Sequence, residues 1–218
     1  MARGETASPK QPAVVTVAAE HGAFGDAVAP RVADALGVPF LDRALPASLA
    51  EASEESERPA GLVGRLARAS STLAGEPVER IDSDEGRIRA ELAEFLARAA
   101  TDGGVILGRG GVFVLADEPG ALHVLLQGDH DARVARVAER EGLETAAADR
   151  SVRATDRARK EYMQRVFGAD AGDRAHYDLV IDTVALGVDA SVELIVAASR
   201  ARTAQETQWR AEADAQST

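Results

Sequence analysis

The run Val14-Val15-Thr16-Val17-Ala18, followed by Glu20-His21-Gly22-Ala23-Phe24-Gly25-Asp26 and then Val28, Val32 and Leu36 at helical spacing, constrains this chain more than any other segment. A short continuous run rich in β-branched residues fits a strand buried on both faces, and such strands belong to parallel sheets covered by helices. A tight Gly-x-x-Gly turn then leads into a helix. That order aims backbone N–H groups and a helix N-terminus at one point, an arrangement suited to a polyphosphate. A working loop of the G-x-x-x-x-G-K-[ST] kind adds a Lys on the β- and γ-phosphates and a hydroxyl on Mg2+. Here Asp26 and Ala27 follow the second glycine, so the geometry is expected without the cation. Gly22, Gly25 and Asp26 are the candidate cofactor-binding positions. An Asp at a helix start is also a favoured N-cap, and in that role it would occupy the positive site that a phosphate needs.

Downstream, apolar strands keep alternating with amphipathic helices. Gly37 stops the first helix, Pro30 fits only near that helix's start, and Val38 to Asp42 reads as a short second strand. Ile81, Ile88, Leu92, Phe95, Leu96 and Ala99 mark a long amphipathic helix before the strand Val105-Ile106-Leu107. Leu122 to Gln127 is a further buried strand, and Asp129 opens a helix carrying Arg133, Arg136 and Arg140 among Val134 and Val137. Glu144 to Phe167 is strongly charged and helical, Tyr177 to Thr183 a last strand, and Val188 to Ala198 a last firm helix. The expectation is an α/β fold of three layers, with a five-stranded, mainly parallel sheet and helices on both faces. Residues 1–12 read as a flexible arm and 13–202 as a single domain. Within it lie an insertion at about 43–80 and an Arg-rich lid at about 144–170; residues 203–218 form a polar tail.

Composition narrows the partners. Cysteine is absent from the 218 residues, which removes disulfides and thiolate metal sites and is compatible with a cytoplasmic location. A net charge of −11 argues against a broad nucleic-acid-binding face. No apolar run reaches membrane-spanning length. His21, His123, His130 and His176 show no metal-ligand spacing, so no metal site is expected from the residues themselves.

Ligands of open parallel sheets sit beyond the strand carboxyl ends. Gly22, Asp42, Arg109 and Asp182 fall at or just after those ends, so one cleft gathers them. Arg109, in Gly108-Arg109-Gly110-Gly111, suits bidentate recognition of a phosphate or base, and equally an exposed turn. Asp178 and Asp182 flank Leu179-Val180-Ile181; each could bond a ribose hydroxyl or amino group, or pair with a lid arginine. Arg150, Arg153, Arg157, Arg159, Lys160 and Arg165 share a helical region with Asp149, Asp156 and Glu161. Such arginines neutralise a transferring phosphoryl group in a lid, or pair with the carboxylates on a solvated helix.

Three segments, in order, resemble the cytidylate kinase-like family of P-loop nucleoside monophosphate kinases. The first is Glu20 to Ala29, continuing through Leu36-Gly37-Val38-Pro39-Phe40-Leu41-Asp42-Arg43. The second is Val105-Ile106-Leu107-Gly108-Arg109-Gly110-Gly111. The third comprises Thr155-Asp156-Arg157-Ala158-Arg159, Tyr162, Gly168, Asp170, Asp173, Tyr177-Asp178-Leu179-Val180-Ile181-Asp182-Thr183 and Leu186-Gly187. The resemblance covers most of Val14 to Ile195. It implies a P-loop NTPase sheet, a monophosphate-binding insertion and transfer of the γ-phosphoryl of ATP, with Mg2+, onto CMP or dCMP. It also implies that Arg109 and Asp182 contact the monophosphate, with Asp42 and Asp178 as further substrate-binding candidates. Arg153, Arg157 and Arg159 would supply lid charge to the reaction. The sequence departs from the family pattern at the chemistry. Ala19 replaces Arg, Ala23 and Phe24 replace Ser and Gly, and Asp26 replaces Arg or Lys; Ala171 and Arg174 stand where Trp and Pro are frequent. The resemblance therefore leaves three readings open: a kinase, a catalytically impaired homologue that binds a nucleotide or a protein partner, and a purely structural subunit.

Overall fold

The computed structural model describes residues 12–41, 96, 101–108 and 110–216. Strand β1 (Val14–Ala19) is central, as its continuous apolar sequence demands, with Val15 and Val17 essentially inaccessible. It pairs in parallel with β3 (Gly104–Leu107) on one side and β4 (Leu122–Gln127) on the other. The short β2 (Phe40–Leu41) extends the sheet beyond β3 and β5 (Leu179–Asp182) beyond β4, giving the order β2-β3-β1-β4-β5 with all pairings parallel. Helices connect the strands: α1 (Gly25–Leu36), α2 (Gly111–Val114), α3 (His130–Glu141), α4 (Thr145–Phe167), α5 (Thr183–Leu186) and α6 (Val188–Gln216).

Strand alternation divides the core between two faces. Val15, Val17, Val105, Leu107, Val124 and Leu126 pack against Val28, Ala29 and Val32 of α1 and Val192, Ile195 and Val196 of α6. On the opposite face Val14 and Ile106 pack with Leu96, Leu115 and Ala121. These are the expected layers: a five-stranded sheet, here wholly parallel, with apolar cover on both faces. Leu96 is the buried representative of the helix expected over Ile81 to Ala99. The remainder of that helix, the arm at residues 1–11, the insertion at 43–80, Asp42 and Arg109 lie outside the described residues.

Several boundaries differ from the sequence reading. Pro30 sits in the second turn of α1, where its missing N–H removes the bond that the Asp26 carbonyl would have received. The last helix does not stop near Ala198. Its buried stripe continues through Ser199 to Glu206, and the helix runs on through the polar stretch to Gln216. The last strand starts at Leu179, because Tyr177 closes a 3-10 turn over Arg174–His176.

Helices α3 and α4 pack side by side through Val134, Val137, Ala148 and Val152, which fixes α4 over the carboxyl edge of β1. At its far end α4 presses Phe167 onto Gly110, where an added Cβ would lie 2.3 Å from the ring. Phe167 also stacks with Phe113, ring centroids 5.4 Å apart. One helix thus reaches both the loop after β1 and the glycine-rich turn after β3.

Candidate functional site

The loop after β1 is shaped by two residues in the left-handed region, Gly22 (φ +87°) and Phe24 (φ +57°). Gly22 is required on two grounds: its φ, and the Arg133 carbonyl oxygen, which would sit 2.9 Å from an added Cβ. Gly25 lets the start of α1 approach β1, since a Cβ there would meet the Ala19 Cβ at 2.5 Å. Phe24 is the N-cap of α1 and its conformation costs about 1–2 kcal/mol for a non-glycine residue. The Arg136 guanidinium, 3.4 Å above the ring centroid, offsets part of that with a cation–π contact worth about 0.5–2 kcal/mol. The expectation that Asp26 caps the helix is therefore corrected. Asp26 lies two residues past the N-cap, too far into the helix to cap it, and its carboxylate turns outward to Arg140 Nη1 at 3.1 Å and Arg136 Nη2 at 3.6 Å.

The cations absent from the loop sequence arrive from α3 and α4. Arg133 is 6% exposed and engages four partners through Nε and Nη1. Nε donates to the Gly128 carbonyl at 3.1 Å and lies 3.2 Å from Glu20 Oε2, while Nη1 donates to the His21 carbonyl at 2.9 Å and to Asp156 Oδ2 at 2.8 Å. The other Asp156 oxygen accepts the His21 backbone N–H at 2.9 Å. Arg159, one turn further along α4, donates Nη1 to the Ala19 carbonyl. Arg140 also holds Glu141 at 2.6 Å. Four guanidinium groups (Arg133, Arg136, Arg140, Arg159) thus share the cup with four carboxylates (Glu20, Asp26, Glu141, Asp156), and the cup is formally neutral. Burial lowers the Arg136 pKa, with Asp26 opposing the shift, while the hydrogen bond to Glu141 raises that of Arg140.

Of the lid candidates, Arg159 reaches the loop. Arg153 and Arg157 face solvent, and Arg153 is engaged by Asp149 on the previous turn, 3.0 Å from both oxygens. That bond, with a second from His130, lowers the pKa of the exposed Asp149. Asp178 and Asp182 sit at opposite ends of β5. Asp182, at the carboxyl end, caps α5 by accepting the Val184 and Ala185 N–H groups at 3.1 and 2.9 Å. Asp178, at the amino end, accepts the His123 N–H at 2.9 Å. Gly22, Gly25 and Asp26 share the loop.

Arg133, Asp156 and Glu20, the groups that organise the loop, were not singled out by the sequence. The available signal was Arg133's position one turn before Val137 and adjacent to Val134, on the apolar face of α3. An arginine there must find buried acceptors.

The residues present do not fit a Mg2+-bound triphosphate in this loop. A carboxylate stands where the cation belongs, Ala27 offers no hydroxyl, the Phe24–Arg136 stack covers the helix start, and Asp156 holds the His21 N–H. Among the described residues no group of three or more His, Asp or Glu could hold a metal ion. No helix among them is long and apolar enough to cross a membrane.

The wholly parallel order β2-β3-β1-β4-β5, with the glycine turn after its central strand, is a P-loop NTPase-like α/β fold. The profile of the cytidylate kinase-like family matches residues 14–185, and the chain belongs to that family. It is 30% identical over 132 residues to a cytidylate kinase of Methanopyrus kandleri, covering 56% of this chain and 68% of that protein. It is also 38% identical over 98 residues, 45% of its length, to a uronate isomerase of Corynebacterium glutamicum, of which it spans only 19%. A solved structure of an uncharacterized protein from Eubacterium ventriosum superimposes with a TM-score of 0.63 over 87% of this chain and 99% of that one, at 22% identity.

Proposed function

We propose that this chain is a nucleotide-binding member of the cytidylate kinase-like family that performs little or no phosphoryl transfer from ATP to CMP or dCMP. The family carries a general expectation of nucleotide and Mg2+ use. The observation favouring an impaired loop is its self-neutralisation: Asp156 on the His21 N–H, and Asp26 held by Arg136 and Arg140. Two unit charges at 4 Å interact by about 1 kcal/mol in water and about 4 at an effective dielectric near 20. Repulsion by Asp26 is discounted here because its charge is already paired. The larger obstacle is competition, since phosphate oxygens would have to displace carboxylates from the donors they require. Phosphoryl transfer depends on positioning and charge neutralisation, so these losses fall directly on rate.

In this reading a pyrimidine monophosphate binds near Arg109 and Asp182, with Asp42 as a further contact, more readily than ATP binds at Gly22, Gly25 and Asp26; Asp178, at the amino end of β5 and engaged by the His123 N–H, is left out of the site. Of the lid arginines, Arg159, which reaches the loop, supplies charge to a bound nucleotide, whereas Arg153 and Arg157 face solvent. The test is a coupled assay of CMP-dependent ATP turnover alongside calorimetry with CMP, dCMP and ATP, with and without Mg2+. Turnover at background is expected for the unmodified protein. The Phe24→Gly, Asp26→Lys double variant should bind ATP more tightly than Asp26→Lys alone. Robust turnover by the unmodified protein, abolished in Arg109→Ala, would overturn the proposal.

A further inference from the structure

The carboxylate on the loop N–H comes from the lid helix, and that origin has a mechanical consequence. Asp156 places one oxygen on a backbone N–H of the loop and the other on a buried guanidinium, at 2.9 and 2.8 Å. A main-chain N–H and an arginine fork are the donor types that receive phosphate oxygens at such loops. Three residues on, Arg159 grips the Ala19 carbonyl at the end of β1 from the same face of α4. About 16 Å from Asp156 along the helix, at the rise of an α-helix, Phe167 covers Gly110 beside the turn that carries Arg109.

From this geometry we infer that Asp156 is an internal stand-in for a ligand's phosphate, latching α4 onto the loop, so that a phosphate-bearing ligand must release the lid helix to bind. The inference rests on the nucleotide-binding reading above and adds to it what currently fills the loop. Spare donors support it. The Nε groups of Arg136 and Arg159 are enclosed and have no acceptor among the described residues, so the cup holds more donors than its own carboxylates use. An anion replacing Asp156 finds the His21 N–H and the Arg133 fork, with Arg136 remaining on α3 beside Phe24, while Arg159 departs with α4. Asp156 would leave with α4, and the covering of Gly110 by Phe167 would loosen in the same movement.

The experiment compares the unmodified protein, Asp156→Asn and Asp149→Asn by calorimetry and thermal denaturation with sodium tripolyphosphate as probe. Asn keeps an oxygen for the His21 N–H while removing the charge held by Arg133. Asp149, on the same helix but paired with Arg153 and His130, controls for net charge. If the latch is closed at least nine-tenths of the time, its removal tightens tripolyphosphate binding by about tenfold or more. That gain, with a Tm raised by the probe in Asp156→Asn and little change in Asp149→Asn, is the expected result. Equal affinity in all three proteins, or an equal gain in both variants, would overturn the latch. So would an Asp156→Asn protein that fails to fold and is not rescued by the probe, because the carboxylate would then be a structural ion-pair partner alone. None of these readouts measures turnover, so ATP:CMP activity in the unmodified protein would defeat the earlier proposal without deciding this one.

Discussion

Replacing Arg133 by Met keeps the aliphatic stem against Val137 and deletes the one guanidinium that ties α3, α4 and the loop together. Four acceptors lose a partner: the Gly128 and His21 carbonyls, Glu20 and Asp156. Breaking a buried ion pair by removing one member costs about 3–5 kcal/mol when the other is sealed from water. Here the Glu20 and Asp156 side chains retain 30% and 25% exposure, so water recovers part of the loss and about 2–3 kcal/mol remains. At about 2–4 °C per kcal/mol for a domain of this size, Tm should fall by about 4–12 °C. Thermal and urea denaturation would measure the drop, and a double-mutant cycle with Asp156→Asn would isolate the pair, with a coupling of about 1–3 kcal/mol expected. Arg133→Lys should recover less than half, because an ammonium is a point charge and cannot span both carboxylates and two carbonyls. Coupling below about 0.5 kcal/mol, with both single variants near the unmodified Tm, would refute the central place given to this network.

Gly22→Ala should destabilise by at least about 1–2 kcal/mol in urea, since it combines a positive φ with a Cβ pressed 2.9 Å from the Arg133 carbonyl; an unchanged midpoint would mean that the loop is not held in this conformation. His123, buried and sharing a 2.8 Å hydrogen bond with Thr16, has its pKa lowered from 6.5 chiefly by burial, with Arg202 adding to the shift and Asp178 opposing it. Between the lowered value and 6.5 the unfolded chain carries a proton that the folded chain does not. The stabilisation is therefore complete above about 6.5 and is lost as pH falls through the folded value. Urea midpoints from about pH 7.5 to about pH 5 should drop more steeply for the unmodified protein than for His123→Gln, and parallel slopes would remove His123 as the cause.

The parts of this molecule legible in the sequence are those whose physics is local. The β-branched run of β1 marks a strand buried on both faces, the spacing of Val28, Val32 and Leu36 marks α1, and Asp129 marks the start of α3, where its side chain accepts the Ala132 N–H. The end of α6 is less legible, because the polar remainder from Thr203 is compatible with an extended helix or a frayed end; a helix needs only a narrow apolar stripe to stay docked, and Ser199 and Glu206 continue it. Asp26 sits two residues past the N-cap, the role that its side chain suggests. Phe24 takes the left-handed conformation and becomes the N-cap, a choice made by Arg136 from 112 positions away, through a contact that no local propensity encodes.

The same distinction decides how the loop's charge should be judged. Read along the chain, Glu20 to Asp26 contains two carboxylates and no Lys or Arg, and it looks hostile to any anion. Folded, it receives four arginines from α3 and α4, each carrying as much charge as the lysine a conventional loop would supply. At separations of 3–4 Å these groups act well inside the roughly 8–10 Å over which salt screens charge, so the local field is set by the sum over the cup. That sum is zero because Asp156 is counted in it. Withdraw α4 and Asp156 leaves together with Arg159, so three arginines still face three carboxylates, but the His21 N–H and the Arg133 fork lose the acceptor that filled them; on the latch reading the position of α4, more than the identity of residue 26, therefore governs whether those donors are open to an anion. Substitutions that change charge without moving α4, such as Asp26→Lys, should for that reason improve anion binding less than Asp156→Asn does, and a larger gain from Asp26→Lys would return the decisive role to the loop sequence.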